Sequence, residues 1–179
     1  MAGRDDTENM ITRTFRFPEY FDEILKEKAE EQNSSINHIV SELIRRYVEF
    51  MRFAQDDPII SLSYTSFGEI LEDLSEEQMY SAGYRAGERK PKSALLIRGM
   101  VPDFESVEYM LNVVLSEHNG WFKYTSYMDQ NYVYLTHMLG EKWSSYLEGY
   151  IKSMFKTTLD IEVEVEKLGE SLIVRFPER

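Results

Sequence analysis

The stretch Ile11–Phe50, ITRTFRFPEYFDEILKEKAEEQNSSINHIVSELIRRYVEF, decides the fold of the N-terminal part of the chain. Its first residues alternate between two faces, which predicts a short strand. Pro18 suits the first turn of a following helix, and the Asn33–Ser35 turn precedes a second one. The apolar residues of both helices recur at helical spacing. They are too few to close a core in one copy, so we expect the segment to pair with a second chain.

The order strand, helix, turn, helix resembles the ribbon-helix-helix DNA-binding family over residues 11–50. The resemblance implies an intertwined dimer whose two paired strands lie in the DNA major groove. The outward side chains of the strand, which would read base edges, are Thr12, Thr14 and Arg16. Arg can donate twice to guanine, and Thr can contact a thymine methyl group.

The same resemblance implies a phosphate contact at the start of the second helix. It maps to Ser35, Ile36 and Asn37, where backbone N–H groups and the helix dipole favour an anion. Arg13 falls on the strand face of Phe15 and Phe17 and is a further candidate for a phosphate contact. The alternative interpretation is a plain dimerisation ribbon, in which the Thr and Arg side chains are only solvated.

The net charge of −12 and the absence of cysteine limit the classes of function. Because the chain is acidic, any DNA surface must be a local patch with weak, salt-sensitive non-specific binding. The lack of cysteine excludes disulfide scaffolds and thiolate metal sites, and fits a cytoplasmic location. No apolar run approaches the roughly 18 residues of a membrane span, so no membrane partner is expected.

The composition and the residue pattern predict that the chain has three parts. Residues 1–53 are predicted to hold the ribbon-helix-helix domain. Its first residues, 1–10, are predicted to be a mobile polar arm. Residues 54–58, AQDDP, are predicted to be a hinge because two acids and a proline follow the second helix. Residues 59–179 are predicted to form an α+β regulatory or ligand-sensing domain.

The second domain is predicted to be ferredoxin-like, an antiparallel sheet with helices on one face. A strand over 59–64 and two helices, 67–74 and 76–88, come first; Ser66 with Glu69 and Ser75 are their predicted caps. The elements behind the ferredoxin-like interpretation are a strand 93–98, a helix 104–118, a hairpin 121–128 and 132–138, a helix 140–155, and strands 160–166 and 171–176.

An aromatic set around the hairpin is the candidate ligand pocket, since aromatic walls with a few polar groups are typical of small-molecule sites. Strand alternation places Tyr132 and Tyr134 on one face, and Val133, Leu135 and His137 on the other. The alternative is an aromatic core with a dimer interface. The candidate pocket residues are Trp121, Tyr124, Tyr132, Tyr134, His137 and Trp143.

Neither a metal site nor an enzyme is indicated by the motifs. His38, His118 and His137 are scattered without metal-ligand spacing, so no metal and no cofactor are expected. Glu162, Glu164 and Glu166 alternate along one strand and are expected to face solvent or a partner. The sequence has no Gly-rich phosphate loop and no nucleophile elbow, which argues against catalysis.

These observations predict a dimeric, sequence-specific DNA-binding transcription regulator with a C-terminal effector or oligomerisation domain. The expected partners are double-stranded DNA, a second copy as a homodimer or dimer of dimers, and a small-molecule or protein effector. Two alternatives stay open. One is an antitoxin-type regulator whose C-terminal domain binds a protein partner, and the other is an oligomerisation scaffold with no DNA role.

Overall fold

The structure, a computed structural model, describes residues 11–55 and 59–177. Its contacts divide the chain into two compact units, residues 1–57 and 58–179. The predicted arm over 1–10 and residues 56–58 of the predicted hinge lie outside the described residues. The functional assignment of the two domains stays a prediction.

The N-terminal unit is helical. Helix α1 spans Glu19–Glu31, α2 spans Ile36–Glu49, and a short 3₁₀ helix, Met51–Gln55, follows. Ser35 caps α2, since its side chain accepts a hydrogen bond from the His38 backbone N–H at 3.1 Å. The cap expected from the sequence is therefore confirmed, because this hydroxyl satisfies one of the orphan donors of the first turn.

Residues 11–18 form no regular secondary structure. A ribbon strand takes its backbone hydrogen bonds from a neighbouring strand, and one chain supplies only one copy of this segment. The expected strand is therefore not formed in the single chain. The ribbon-helix-helix arrangement stays a prediction that concerns a pair of chains.

The α-helices, the π-helix and the strands in the described part of the C-terminal unit have the following bounds. The helices are α3 Tyr64–Glu72, α4 Glu76–Arg89, α5 Pro91–Ile97, α6 Phe104–Tyr109 and α7 Gly140–Leu159. Helix α6 continues as a π-helix over Met110–His118. The strands are β1 Lys123–Tyr127, β2 Tyr132–Thr136, β3 Glu164–Lys167 and β4 Ser171–Arg175.

The four strands form one antiparallel sheet in the order β1-β2-β4-β3. One face of this sheet is covered, and its side chains Val133, Leu135, Leu172 and Val174 are fully buried. Helix α7 packs against β3 and β4, and the π-helix packs against β1. The α+β class is thus present, with helices covering one face of an antiparallel sheet.

The finer ferredoxin-like prediction is wrong. Its first strand, residues 93–98, lies in helix α5, and the sheet consists of two hairpins joined by α7. Pro91 at the helix start has the φ that a helix requires, and Leu95 is fully buried. A short apolar run such as Ala94–Ile97 does not distinguish a strand from a buried helix.

The predicted strand over 59–64 is also wrong, because residues 59–63 have no regular structure and Tyr64 begins α3. The cap of α3 is Ser63, whose side chain accepts from the Ser66 backbone N–H at 3.2 Å, in place of the predicted cap at Ser66. For α4, the predicted cap is confirmed: Ser75 and Gln78 form a reciprocal capping box.

Helices α4 and α7 approach each other closely through glycine. A Cβ atom built on Gly83 would lie 2.0 Å from the Tyr146 carbonyl oxygen, and one on Gly87 would lie 2.2 Å from that of Tyr150. Gly149 is equally close to α4, with a Cβ 2.3 Å from the Tyr80 carbonyl oxygen. Backbone therefore packs directly on backbone along this crossing, and no side chain larger than hydrogen fits at the three positions.

Candidate functional site

The residues predicted to contact DNA lie in two places. Thr12, Thr14 and Arg16 are exposed within the irregular segment 11–18, and the Arg13 guanidinium is 3.4 Å from the Thr12 carbonyl oxygen. At the start of α2, Ser35 and Asn37 are exposed and Ile36 is half-buried. The Ser35 hydroxyl is occupied by the helix's own N–H of His38. Within one chain the strand residues form no organised site.

The N-terminal unit leaves most of its apolar side chains exposed. Of its described residues, Ala29 and Phe50 are the buried apolar ones. On α2, Leu43 and Tyr47 follow at helical spacing and are 57% and 59% exposed. We call the exposed apolar set the N-terminal apolar face: Phe15, Phe17, Tyr20, Phe21, Ile24, Leu43, Ile44, Tyr47, Val48 and Met51. Exposed apolar patches of this kind are typical of interaction surfaces.

Ion pairs accompany the apolar residues of α2. The Arg45 guanidinium lies 3.0 Å from the Glu42 carboxylate and 3.7 Å from that of Glu49, all within one helix. These charges are satisfied locally at helical spacing. A polar rim beside an apolar stripe is typical of protein–protein interfaces.

In the C-terminal unit, Trp121 and Trp143 of the predicted pocket do come together. Their ring centroids are 5.4 Å apart, and the Trp143 indole N–H donates to the Trp121 carbonyl oxygen at 3.0 Å. Tyr146 stacks on Trp143 at 4.6 Å, and Phe67 meets the same ring edge-on at 5.2 Å. Trp143 is buried and the other three rings are half-buried, so these aromatic residues pack on one another rather than line an open cavity.

The predicted tyrosines point to opposite sides of the sheet. Tyr124 lies on the covered side, where its hydroxyl donates to Glu108 at 3.1 Å, and burial followed by the nearby Glu108 charge raises the pKa of this phenol. Tyr132 and Tyr134 alternate with the buried Val133 on the uncovered side. The six residues therefore do not line one pocket, because the sheet separates Tyr132 and Tyr134 from the tryptophans.

The outer tyrosines belong to a mixed aromatic and charged surface. Tyr132 stacks on Tyr127 at 4.9 Å, and the Arg175 guanidinium lies 5.6 Å from the Tyr132 ring centroid. Arg175 also reaches Glu166 at 3.6 Å. Glu166 is exposed, as the strand pattern predicts. These contacts tie β1, β2, β4 and β3 together across the outer face.

A cavity of about 640 Å³ lies elsewhere in the C-terminal unit, between α3 and the start of α7. Helix α3 contributes Tyr64, Thr65, Gly68, Leu71 and Glu72 to its lining. The residues Met138, Leu139, Gly140, Glu141 and Lys142, which lead from β2 into α7, form the opposite wall together with Glu76 of α4. The Lys142 ammonium donates to the Glu72 backbone carbonyl at 2.7 Å and so joins the two walls.

His137 holds the loop that forms this wall. Its Nδ1 accepts from the Leu139 backbone N–H at 3.3 Å, and its Nε2 lies 2.9 Å from the Ser144 hydroxyl. Ser144 donates its single hydroxyl proton to the Gly169 carbonyl at 2.6 Å, so His137 must donate from Nε2. The ring is thus the neutral tautomer protonated at Nε2, and burial lowers the pKa of His137 although Glu170 favours its charge.

The β3–β4 turn completes this arrangement. The Glu170 backbone carbonyl accepts from the His137 N–H at 3.0 Å, and its carboxylate accepts from the Gly140 N–H at 3.0 Å. Sequence reasoning singled out His137 but missed Ser144, Gly169 and Glu170. No local pattern could have found them, because Ser144 lies seven residues on, inside α7, and the turn with Gly169 and Glu170 lies about thirty residues further along the chain.

A second set of hydrogen-bonded polar side chains joins α4, α7 and β3. The buried Ser145 hydroxyl donates to the Glu76 carboxylate at 2.9 Å and accepts from the Lys167 ammonium at 2.8 Å. The hydrogen bond from Ser145, and then the Lys167 contacts, lower the pKa of Glu76. Since Ser145 is 1% exposed, its hydroxyl is closed to a substrate and serves to tie the three elements together.

Over residues 11–55 and 59–177, no helix is long and apolar enough to cross a membrane. The same part of the chain holds no cluster of three His, Cys, Asp or Glu residues that could bind a metal ion.

Comparisons with known proteins give a likeness to solved structures. No family model and no curated protein matches the chain. A solved structure that matches is a trafficking protein particle complex subunit 3 from Naegleria fowleri, covalently bound to palmitic acid. The two are 18% identical, the match covers 64% of this chain and 91% of that chain, and the TM-score is 0.42. This likeness is too low to assign the neighbour's role, complex or bound lipid to this chain.

The functional prediction is corrected accordingly. The predicted DNA-binding transcription regulator and its double-stranded DNA partner are withdrawn: no family model and no curated protein supports them, and the matching structure is a subunit of a trafficking complex. The base-reading and phosphate roles given to Thr12, Thr14, Arg16, Arg13 and the start of α2 belonged to that function.

Proposed function

We propose that the chain is a self-associating protein-interaction module without catalytic activity. Two copies pair through the N-terminal apolar face, in the ribbon-helix-helix manner that the order of elements resembles. The dimer then contains two copies of the C-terminal α+β unit. A cytoplasmic location belongs to the same proposal.

One observation supports the proposal above the others: the N-terminal unit has almost no core of its own. Burying a Leu or Phe side chain stabilises a fold by about 1.5–3 kcal/mol, and small units need many such side chains. Among the described residues of this unit two apolar side chains are buried, some are half-buried, and most are exposed on the two helices and the segment before them. Pairing with a second copy would bury this face.

A second copy suits the face better than an unrelated protein does. The segment 11–18 has backbone donors and acceptors without a strand partner, and an identical segment in antiparallel orientation offers the same alternation. A two-fold interface also places each apolar stripe against its equivalent, which is the commonest arrangement in protein oligomers.

The test is the mass of the full-length chain in solution over a range of concentrations, measured by light scattering and sedimentation. We expect wild type to be a dimer. For Leu43→Asp, we expect a dissociation constant of the dimer that is higher by a factor on the order of 100 or more. The reason is that two buried carboxylates, one from each copy, would lack partners in the interface.

A matched control is available in the C-terminal unit. Leu96 is 58% exposed and Leu43 is 57% exposed, so Leu96→Asp introduces the same charge at an equally exposed leucine. We expect Leu96→Asp to remain a dimer. A wild-type chain that is monomeric throughout, or equal dissociation by both variants, would contradict the proposal.

A further inference from the structure

We infer that His137 is a proton-operated latch that holds in place the loop forming one wall of the 640 Å³ cavity and releases this loop when Nδ1 takes up a proton. The inference concerns the C-terminal unit alone. It stands whether or not the chain forms a dimer.

The first step is the position of the ring. His137 lies between strand β2 and helix α7, and the next five residues, Met138 to Lys142, all line the cavity. The ring nitrogens contact Leu139 in the same loop and Ser144 inside α7. A single side chain thus fixes the loop against the helix that follows it.

The second step is the hydrogen-bond balance. In the neutral ring, Nδ1 is the acceptor for the Leu139 N–H, and Nε2 donates to Ser144. When a proton binds Nδ1, that nitrogen becomes a donor that faces the Leu139 N–H, also a donor. The contact at 3.3 Å becomes repulsive, while the bond from Nε2 to Ser144 is unchanged. Protonation therefore acts on the cavity wall and leaves the contact with α7 in place.

The third step is the surroundings of the ring. The β3–β4 turn supplies the Glu170 carboxylate, which favours a charged imidazole, and its bond from the Gly140 N–H fixes the same loop. Helix α7 contributes the neutral Ser144 hydroxyl, and the turn contributes the Gly169 carbonyl that it bonds. Burial outweighs the carboxylate, so the pKa of His137 is lowered from 6.5.

The sign of the pH effect follows from this direction. The unfolded chain takes up the proton near pH 6.5, and the folded chain only at a lower pH. The latch is therefore fully formed above about pH 6.5, and it is lost as the pH falls through the lowered pKa of the folded state.

The experiment follows the Leu139 amide and the imidazole in the full-length chain by NMR at stepped pH. His38 is exposed on α2, in the other unit, and serves as the site of a control substitution. We expect the hydrogen-exchange protection of Leu139 to fall roughly tenfold per pH unit below the pKa of His137, because the latched fraction falls in that proportion. A core amide such as Val133 should keep its protection and so exclude global unfolding.

The variant His137→Asn has a matched control in His38→Asn. The Asn carboxamide oxygen can take the place of Nδ1 as acceptor, and it does not take up a proton in this range. We expect the protection of Leu139 to become independent of pH in His137→Asn and to stay pH-dependent in His38→Asn. The inference is overturned if wild-type Leu139 protection does not change with pH, or if it changes in the same way in His137→Asn. If His137→Asn does not fold, the wild-type titration decides alone.

Discussion

Replacing Gly83 by alanine tests the close approach of α4 and α7. The new Cβ would lie 2.0 Å from the Tyr146 carbonyl oxygen and 2.8 Å from its carbon, both backbone atoms that no rotamer change can move. The helices must separate by about 1 Å, which also loosens the equivalent contacts at Gly87 and Gly149. Overpacking of this kind costs about 3 kcal/mol of folding stability. The higher helix propensity of alanine over glycine offsets about 1 kcal/mol of this cost. We expect a net loss of about 2 kcal/mol.

The assay is urea unfolding followed by tryptophan fluorescence. Both tryptophans of the chain, Trp121 and Trp143, lie in the C-terminal unit, so the signal reports that unit. The control is Gly68→Ala on α3, where a Cβ meets nothing within 4 Å and where we expect a gain of about 1 kcal/mol. If Gly83→Ala is as stable as wild type while Gly68→Ala behaves as expected, the close backbone packing is refuted.

Two further substitutions test single polar groups in the same unit. Ser153 is fully buried and its hydroxyl has no hydrogen-bond partner among the described residues, so Ser153→Ala should raise the free energy of unfolding by about 1 kcal/mol in the same assay. A loss of stability would show that the hydroxyl is satisfied. Ser75→Ala removes the reciprocal cap of α4 and should lower that free energy by about 1 kcal/mol, whereas an unchanged midpoint would mean that the cap adds nothing.

Local signals predicted much of the C-terminal unit. The hairpin around Asp129–Asn131 is present, with Asn131 in the left-handed conformation that its turn needs. The helix predicted from Gly140 begins there and runs on to Leu159. In each case the signal, a cap, a turn residue or a regular apolar spacing, lies within the element that it describes.

The predictions from sequence were wrong where tertiary contacts determine the structure. Residues Ala94–Ile97 are apolar enough for a strand, but Leu95 is buried in a helix that packs against α7. Tyr132 and Trp121 are both aromatic and close in sequence, yet the sheet lies between them. The partners of His137 come from a turn and a helix that only the folded chain brings together. Spacing along the sequence carries no information on such contacts.

The π-helix Met110–His118 has a consequence for comparing this chain with other sequences. Each backbone hydrogen bond there spans five residues instead of four, so the segment holds more residues per turn than an α-helix. Val114 and His118, four apart, are both buried, as are Met110 and Leu111. A related protein that is one residue shorter here could keep the same buried face as an ordinary α-helix. A gap in an alignment at this point would then mark a change of helix type rather than a lost loop.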